Sequence, residues 1–399
     1  MSRTEHRKQD TMCRSTSTVV GAFAAVALSA ALAGCGQSDT SASPNQSSAQ
    51  VVKEATQRTE TSFAGTDRKL PTEGPAAQTG KNVWIIACST QAAGCELPSK
   101  GFLKAGSHLG WKTKLVDGKF DPSVQSAAIR SAAASGADAV VLYAIECAPN
   151  KAAIEAAQQS GTKVYGTSLD CDDEYAGGGK PLFDARLSWG KKDGAYGDYV
   201  SNTLGAAAAD WAIAKTKGDA EIILLRWNDS AVTRHIGDGQ SDRLKECGGC
   251  QVHEVSLTSA DVLGGGVQAK VSAALQRFPK ADVVMAPVDS VVLLGAGSAV
   301  QQARATGRKL LLTALEGTPG IISSIKDGVT DYAAGVPSAW GGWAVADGVN
   351  RMLADQPQVD PGISYGPMDA GHLPKTDVYD GNQPSSGYQD NYLRIWGVS

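Results

Sequence analysis

The sequence predicts an α/β protein built from two doubly wound parallel-sheet lobes joined by a hinge. Three observations carry this. Short apolar runs of strand length alternate with stretches whose apolar residues recur at helical spacing. The alternation begins again near residue 191, so the pattern occurs twice. A chain of 399 residues with 42% apolar and 20% charged side chains has material for two or three domain-sized cores.

The first segment is 1–35. Arg3, Arg7, Lys8 and Arg14 precede an uncharged run from Val19 to Leu32, whose 14 residues fall short of the roughly 20 that a bilayer-spanning helix needs. This reads as an export signal. It ends in Leu32-Ala33-Gly34-Cys35, which resembles the bacterial lipoprotein lipobox, and the resemblance makes Cys35 the acylated N-terminus of the mature protein. A lipid at Cys35 would hold the protein on the outer face of the cell membrane with no spanning helix. Residues 36–80 are rich in Ser, Thr, Gln, Ala and Gly, with Val51, Val52, Phe63 and Leu70 among few large apolar side chains, and are expected to form a flexible tether.

Asn82-Val83-Trp84-Ile85-Ile86-Ala87 is the first strand, followed by Phe102, Ala105 and Leu109 at helical spacing. Leu115-Val116 is the second, and Asp121 with Pro122 opens a helix as N-cap and N1. Ala139 to Tyr143 and Val164 to Gly166 continue the series, with a helix from Pro149 to Ser160 between them. After a helix from Asp198 to Lys217, strands Ile222 to Leu225, Val252 to Val255, Val283 to Ala286 and Leu310 to Leu312 alternate with further helices. The expected organisation is lobe one over 81–190 plus 336–357, lobe two over 191–335, and an aromatic tail over 358–399 packed on a lobe through Tyr388, Tyr392, Leu393, Ile395 and Trp396.

Doubly wound sheets bind ligands beyond the carboxyl ends of their strands. Those ends carry Gln91, Glu146, Asp170, Trp227, Asp289 and Glu316. Carboxylates and amides beside an indole suit a polyol, which needs paired donors and acceptors at its hydroxyls and an apolar face for its C–H side. The competing role for the acids is helix N-capping. Lys plus Arg total 37 against 41 acids, which leaves no basic excess for nucleic acid. The five histidines form no H-x-x-x-H or H-x-E arrangement, so no metal or other cofactor is expected. Gly264-Gly265-Gly266 lacks the Lys-Ser/Thr of a phosphate loop and reads as a tight turn.

Six cysteines remain after Cys13 and Cys35, an even number in a compartment where disulfides persist. Cys247 and Cys250 look like a redox C-x-x-C, but they follow a helix, which favours a structural staple. Cys88 and Cys95 bracket the first loop, and Cys147 and Cys171 follow strands expected to be neighbours. Both pairs could stiffen the cleft mouth, although six cysteines admit many connectivities.

Gly136-Ala137-Asp138-Ala139-Val140-Val141-Leu142, Glu316-Gly317-Thr318-Pro319 and Ile325-Lys326-Asp327-Gly328 together resemble the type 1 periplasmic binding proteins, ribose-like branch, over roughly Lys81 to Asp355. The resemblance implies a solute receptor that closes on a small polar ligand, a sugar or polyol, and delivers it to an ABC permease. It assigns ligand contacts to Asp170, to Arg234 at the family's R-x-x-G spacing before Gly237, and to Asp289. Where the family sandwiches a sugar ring between aromatic residues, Trp227, Trp340 and Trp343 are the substitutes available here. The expected protein is a monomer without catalytic activity. Two other readings are a receptor that docks on a membrane sensor protein and, from another class, an enzyme using Asp170 and Glu316 as an acid–base pair. The chain has no recognisable nucleophile motif to support the enzyme.

Overall fold

β1 (Asn82–Ala87) is buried along nearly its whole length, as an uninterrupted apolar run must be in a parallel sheet covered on both faces. In the computed structural model, which describes residues 44–175, 177–190, 194–381 and 387–399, it stands inside a five-stranded sheet. Its neighbours are β2 (Lys112–Asp117) and β3 (Ala139–Tyr143), followed by β4 (Lys163–Gly166) and β5 (Ala185–Arg186), all parallel. Helices α2 (Ala93–His108), α3 (Pro122–Ala134) and α4 (Cys147–Gln159) connect the first four strands. α3 starts as its sequence requires, with Asp121 Oδ1 accepting from Ser123 N at 2.7 Å and Pro122 in the first turn.

In the second lobe, π-helical turns over Tyr199–Gly205 lead into α5 (Ala206–Thr216). Then follow β6 (Ala220–Trp227), α6 (Ala231–Lys245), β7 (Cys250–Leu257), α7 (Val267–Arg277), β8 (Val283–Met285), α8 (Gly297–Ala305), β9 (Leu311–Glu316), α9 (Pro319–Lys326) and β10 (Tyr332–Gly335). The sheet order is β11-β10-β9-β8-β6-β7, with β11 (Gly366–Met368) antiparallel at the edge and the other pairs parallel. Strand order reverses beside β1 in one sheet and beside β6 in the other. The loops leaving these strands and their neighbours β3 and β8 therefore diverge and open a crevice.

The chain passes back to the first lobe after β10, where α10 (Ser338–Leu353) packs on α2. β11 then returns to the second sheet, and α11 (Tyr388–Trp396) packs on α10. Trp396 is 1% exposed, lies parallel to Trp343 with ring centroids 5.7 Å apart, and donates from Nε1 to Asp347 Oδ1 at 2.8 Å. Trp340 and Trp343 are core residues of this cluster and do not reach the cleft. The segment 358–399, read as a tail, thus supplies a strand to one lobe and a helix to the other.

The tether expected over 36–80 is corrected by the structure from residue 44 onward. Pro44–Phe63 forms α1, which packs on α5 and buries Ala55 completely. The residues after it are pinned in place: Arg68 pairs with Asp360 at 2.7 Å, Arg351 Nη2 donates to Glu73 O at 2.6 Å, and Gln78 N donates to Asn350 Oδ1 at 2.9 Å. The segment has too few apolar residues to form a core of its own, but it needs none, because the lobes supply both the apolar face and the hydrogen-bond partners. The signal segment and Cys35 lie outside the described residues. Among the described residues no helix is long and apolar enough to cross a membrane.

Candidate functional site

The two diverging sets of loops enclose a cleft of about 370 Å³. From the first lobe come Gln91 after β1, Phe120 after β2, Tyr143 at the end of β3 and Glu146 ahead of α4. From the second come Trp227 at the end of β6, Asp289 after β8 and Glu316 at the end of β9. Five of the seven ligand residues expected from sequence therefore meet here: Gln91, Glu146, Trp227, Asp289 and Glu316.

The other two do not line this cleft. Asp170, 3% exposed, turns its carboxylate onto backbone N–H groups, accepting from Cys171 at 2.7 Å, Leu182 at 2.8 Å and Phe183 at 3.3 Å. It fixes the loop leading to β5 and borders a separate cavity of about 270 Å³ shared with Asp172, Asp173, Arg186 and His235. Arg234 is exposed on the outer side of α6, where its Nε donates to Asn228 O at 2.8 Å and its guanidinium lies 5.4 Å from the Tyr175 ring centre. The helix turns Val232 and Thr233 toward the cleft instead, so the R-x-x-G spacing placed Arg234 on a helix without revealing its face.

Asp289 and Glu316 form the floor. Asp289 Oδ2 accepts from Thr318 N at 2.8 Å, and Glu316 Oε2 accepts from Asp289 N at 3.2 Å. Glu316 holds a left-handed backbone, φ 72°, which a non-glycine residue adopts at a cost and which turns its side chain toward Gly94 across the cleft. Any side chain at Gly94 would collide with Glu316 Oε1. Burial pushes the Glu316 carboxyl up to about 7, against the opposing pull of the Asp289 N–H. Burial, and then the neighbouring charge of Glu316, holds Asp289 well above the usual carboxylate range. Burial also raises the phenols of Tyr143 and Tyr196, so both rings stay protonated beside Glu316.

Glu146 reaches across the cleft. Its Oε1 accepts from Ala231 N at 2.7 Å and from Ser230 Oγ at 3.2 Å, so a first-lobe carboxylate caps a second-lobe helix whose own N-cap, Ser230, makes no side-chain cap bond. Burial raises its pKa, while the Ala231 N–H favours the charged form. Further contacts join the lobes at α6, among them Tyr175 Oη donating to Asp238 Oδ2 at 2.6 Å and His235 Nε2 lying 2.9 Å from Asp173 Oδ2. Burial opposes the charged imidazole, but the hydrogen bond and charge of Asp173, with Glu174 and Asp238, outweigh it and raise the His235 pKa.

Phe120, Tyr143, Tyr196, Ser230 and Thr318 also line the cleft and were missed from sequence. Tyr143 ends a strand and could have been found by the rule that found Glu316. Phe120 owes its position to the left-handed backbone at Lys119 and Phe120, φ 53° and 52°, which no local signal announces. Disulfides join Cys88 to Cys95, Cys147 to Cys171 and Cys247 to Cys250, with Cα–Cα distances of 5.9, 5.0 and 5.3 Å. The first closes the loop carrying Gln91, and the second ties the start of α4 to the loop after β4. Cys147, Asp170 and Cys171 bring potential metal-ligating atoms within 4.8 Å of one another, but both sulfurs are spent in the disulfide.

A cleft between two doubly wound lobes, lined from both, defines a solute-binding protein of the type 1 architecture. A family model described as a periplasmic binding protein domain matches residues 83–356, and the chain belongs to that family. Among solved structures it resembles an ABC transporter solute-binding protein from Bacillus halodurans with bound myo-inositol, at 13% identity, covering 73% of this chain and 96% of that one, with a TM-score of 0.61. It also resembles one from Agrobacterium vitis bound with α-D-tagatopyranose, at 17% identity, 75% and 97% coverage and a TM-score of 0.63. A 5-methylthioribose transporter solute-binding protein from Thermotoga lettingae aligns at 15% identity over 82% and 95% of the two chains, with a TM-score of 0.62. At these identities the structural likeness shows a shared fold and nothing more. No curated protein sequence matches the chain.

Proposed function

We propose that this protein is an extracytoplasmic solute-binding lipoprotein that closes its lobes on a sugar or another small polar solute and presents it to the permease of an ABC importer, without catalysing a reaction. The observation that carries the reading is the cleft, about 370 Å³ in volume and lined from both lobes by Gln91, Glu146, Trp227, Asp289 and Glu316. Its size suits a monosaccharide-sized ligand. The neighbours of known structure, named for complexes with myo-inositol, tagatopyranose and 5-methylthioribose, support the same class of ligand.

Calorimetry with a panel of pentoses, hexoses, inositols and their amino derivatives tests the reading. Binding without turnover of at least one is expected, and chemical conversion of a bound compound would contradict it. The lipid anchor rests on Leu32-Ala33-Gly34-Cys35. The unsubstituted protein is expected in the detergent phase on Triton partitioning, and Cys35→Ala in the aqueous phase. Retention of Cys35→Ala in the detergent phase would remove the anchor from the proposal.

A further inference from the structure

Among the described residues, the cleft gathers acidic side chains with no basic side chain beside them. Glu146, Asp229, Asp289 and Glu316 line it, and among the described residues none of those lining it is Lys, Arg or His. Two of the four are committed elsewhere. Glu146 caps α6, and Asp229 Oδ2 accepts from Ser259 N. Asp289 and Glu316 remain at the floor, Glu316 accepting from Asp289 N and Asp289 accepting from Thr318 N, with the Gly317 N–H and the Thr318 hydroxyl also favouring the charged form of Asp289. Asp289 is 2% exposed, and its Oδ1 has no hydrogen-bond partner. Buried carboxylate oxygens without a donor are costly, and two adjacent carboxylates cannot both stay ionised without a cation.

The walls around this pair are aromatic. Phe120 of the first lobe meets Trp227 of the second edge to face, with centroids 6.4 Å apart, and Tyr143 and Tyr196 stand beside Glu316. Aromatic faces attract a cation through their quadrupoles, most strongly where water is excluded. A hydroxyl group could donate one hydrogen bond to the floor. A protonated amine donates up to three and also cancels a charge.

We propose that the solute is a cation, a polyhydroxy compound carrying a protonated amine, seated on Asp289 and Glu316 and enclosed by Phe120, Tyr143, Tyr196 and Trp227. The inference rests on the solute-receptor reading above and narrows its ligand class. In the resting protein burial keeps Glu316 protonated below about pH 7. The arriving ammonium keeps all its own protons, and as it seats one carboxyl gives its proton to solvent, so the positive charge brought in is matched by the one carboxylate formed.

The test is calorimetry on protein freed of carried ligand by unfolding and refolding, with matched probes differing only in amine against hydroxyl: glucosamine and glucose, galactosamine and galactose, an inosamine and myo-inositol. At least one amine is expected to bind about tenfold or more tightly than its hydroxyl twin. That preference should fall to about threefold or less in Asp289→Asn and in Glu316→Gln. A second readout needs no variant: near pH 6, where Glu316 holds its proton, amine binding should release close to one proton, seen as heat that changes with the ionisation enthalpy of the buffer. Hydroxyl probes that bind as tightly as the amines would overturn the cationic ligand and leave the solute receptor standing. An amine that binds with no proton release would overturn the seat on Asp289 and Glu316. Failure of every probe would overturn both readings.

Discussion

Glu316 concentrates three constraints in one residue. It terminates β9, holds a left-handed backbone, and places a carboxylate where burial raises its pKa to about 7. An acid whose folded pKa exceeds its unfolded one binds its proton more tightly when folded. Its contribution is therefore largest at low pH and declines as pH rises from the ordinary 4.5 to about 7. His235, a base with a raised pKa, adds a slope of the same sign that begins above its ordinary 6.5. The unliganded protein should thus lose Tm as pH rises from about 4.5 through about 7, and Glu316→Gln should lose less over that interval. Equal slopes in scanning calorimetry would show that Glu316 ionises as freely in the folded chain as in the unfolded one. Gly94→Ala is expected to weaken ligand binding at least about tenfold while leaving the fold in place, because its methyl enters the space of Glu316 Oε1. Unchanged affinity would mean that the loop closed by Cys88–Cys95 yields easily.

At the scale of elements, α6 is where the lobes meet and α1 is where sequence reasoning failed. Glu146 supplies the missing cap of α6 from the opposite lobe, so Glu146→Ala removes an interlobe bond and a helix cap together. A loss of about 1 to 2 kcal/mol is expected in denaturant titration, with a larger radius of gyration by small-angle scattering as the lobes part. An unchanged radius would show that the other interlobe contacts, Tyr175–Asp238 and His235–Asp173 among them, hold the lobes without Glu146. For α1, Ala55→Asp would place a charge against α5 at a fully buried position. It should lower Tm strongly, as an unpaired buried carboxylate does. A silent substitution would return this segment to the role of tether. The same logic explains why the strands were legible and α1 was not. Runs such as Val83 to Ala87 and Val140 to Leu142 can be satisfied only inside a sheet, whereas Val51, Val52 and Ala55 become a buried face only once α5 is present to receive them.

Across the whole molecule, the sequence by itself determined the repeated βα order, the helix start at Asp121-Pro122 and the strand ends on which a ligand site must lie. Each is a local property: an apolar run, a cap with a fixed partner two residues on, a polar residue following a strand. Only the tertiary structure decided which of those strand ends share one cleft. Asp170 and Glu146 follow strands alike, yet one carboxylate turns inward to hold a loop and the other crosses to the opposite lobe. It also decided that Arg234 faces out, that Trp340 and Trp343 pack beneath α11, and that the final segment serves both lobes. The physical reason is range. Strand and cap preferences act over a few residues of chain. The direction of a side chain and the neutralisation of a buried charge depend on residues such as Gly94, Asp289 and Glu316, far apart in sequence, which only the closed packing of two lobes brings together.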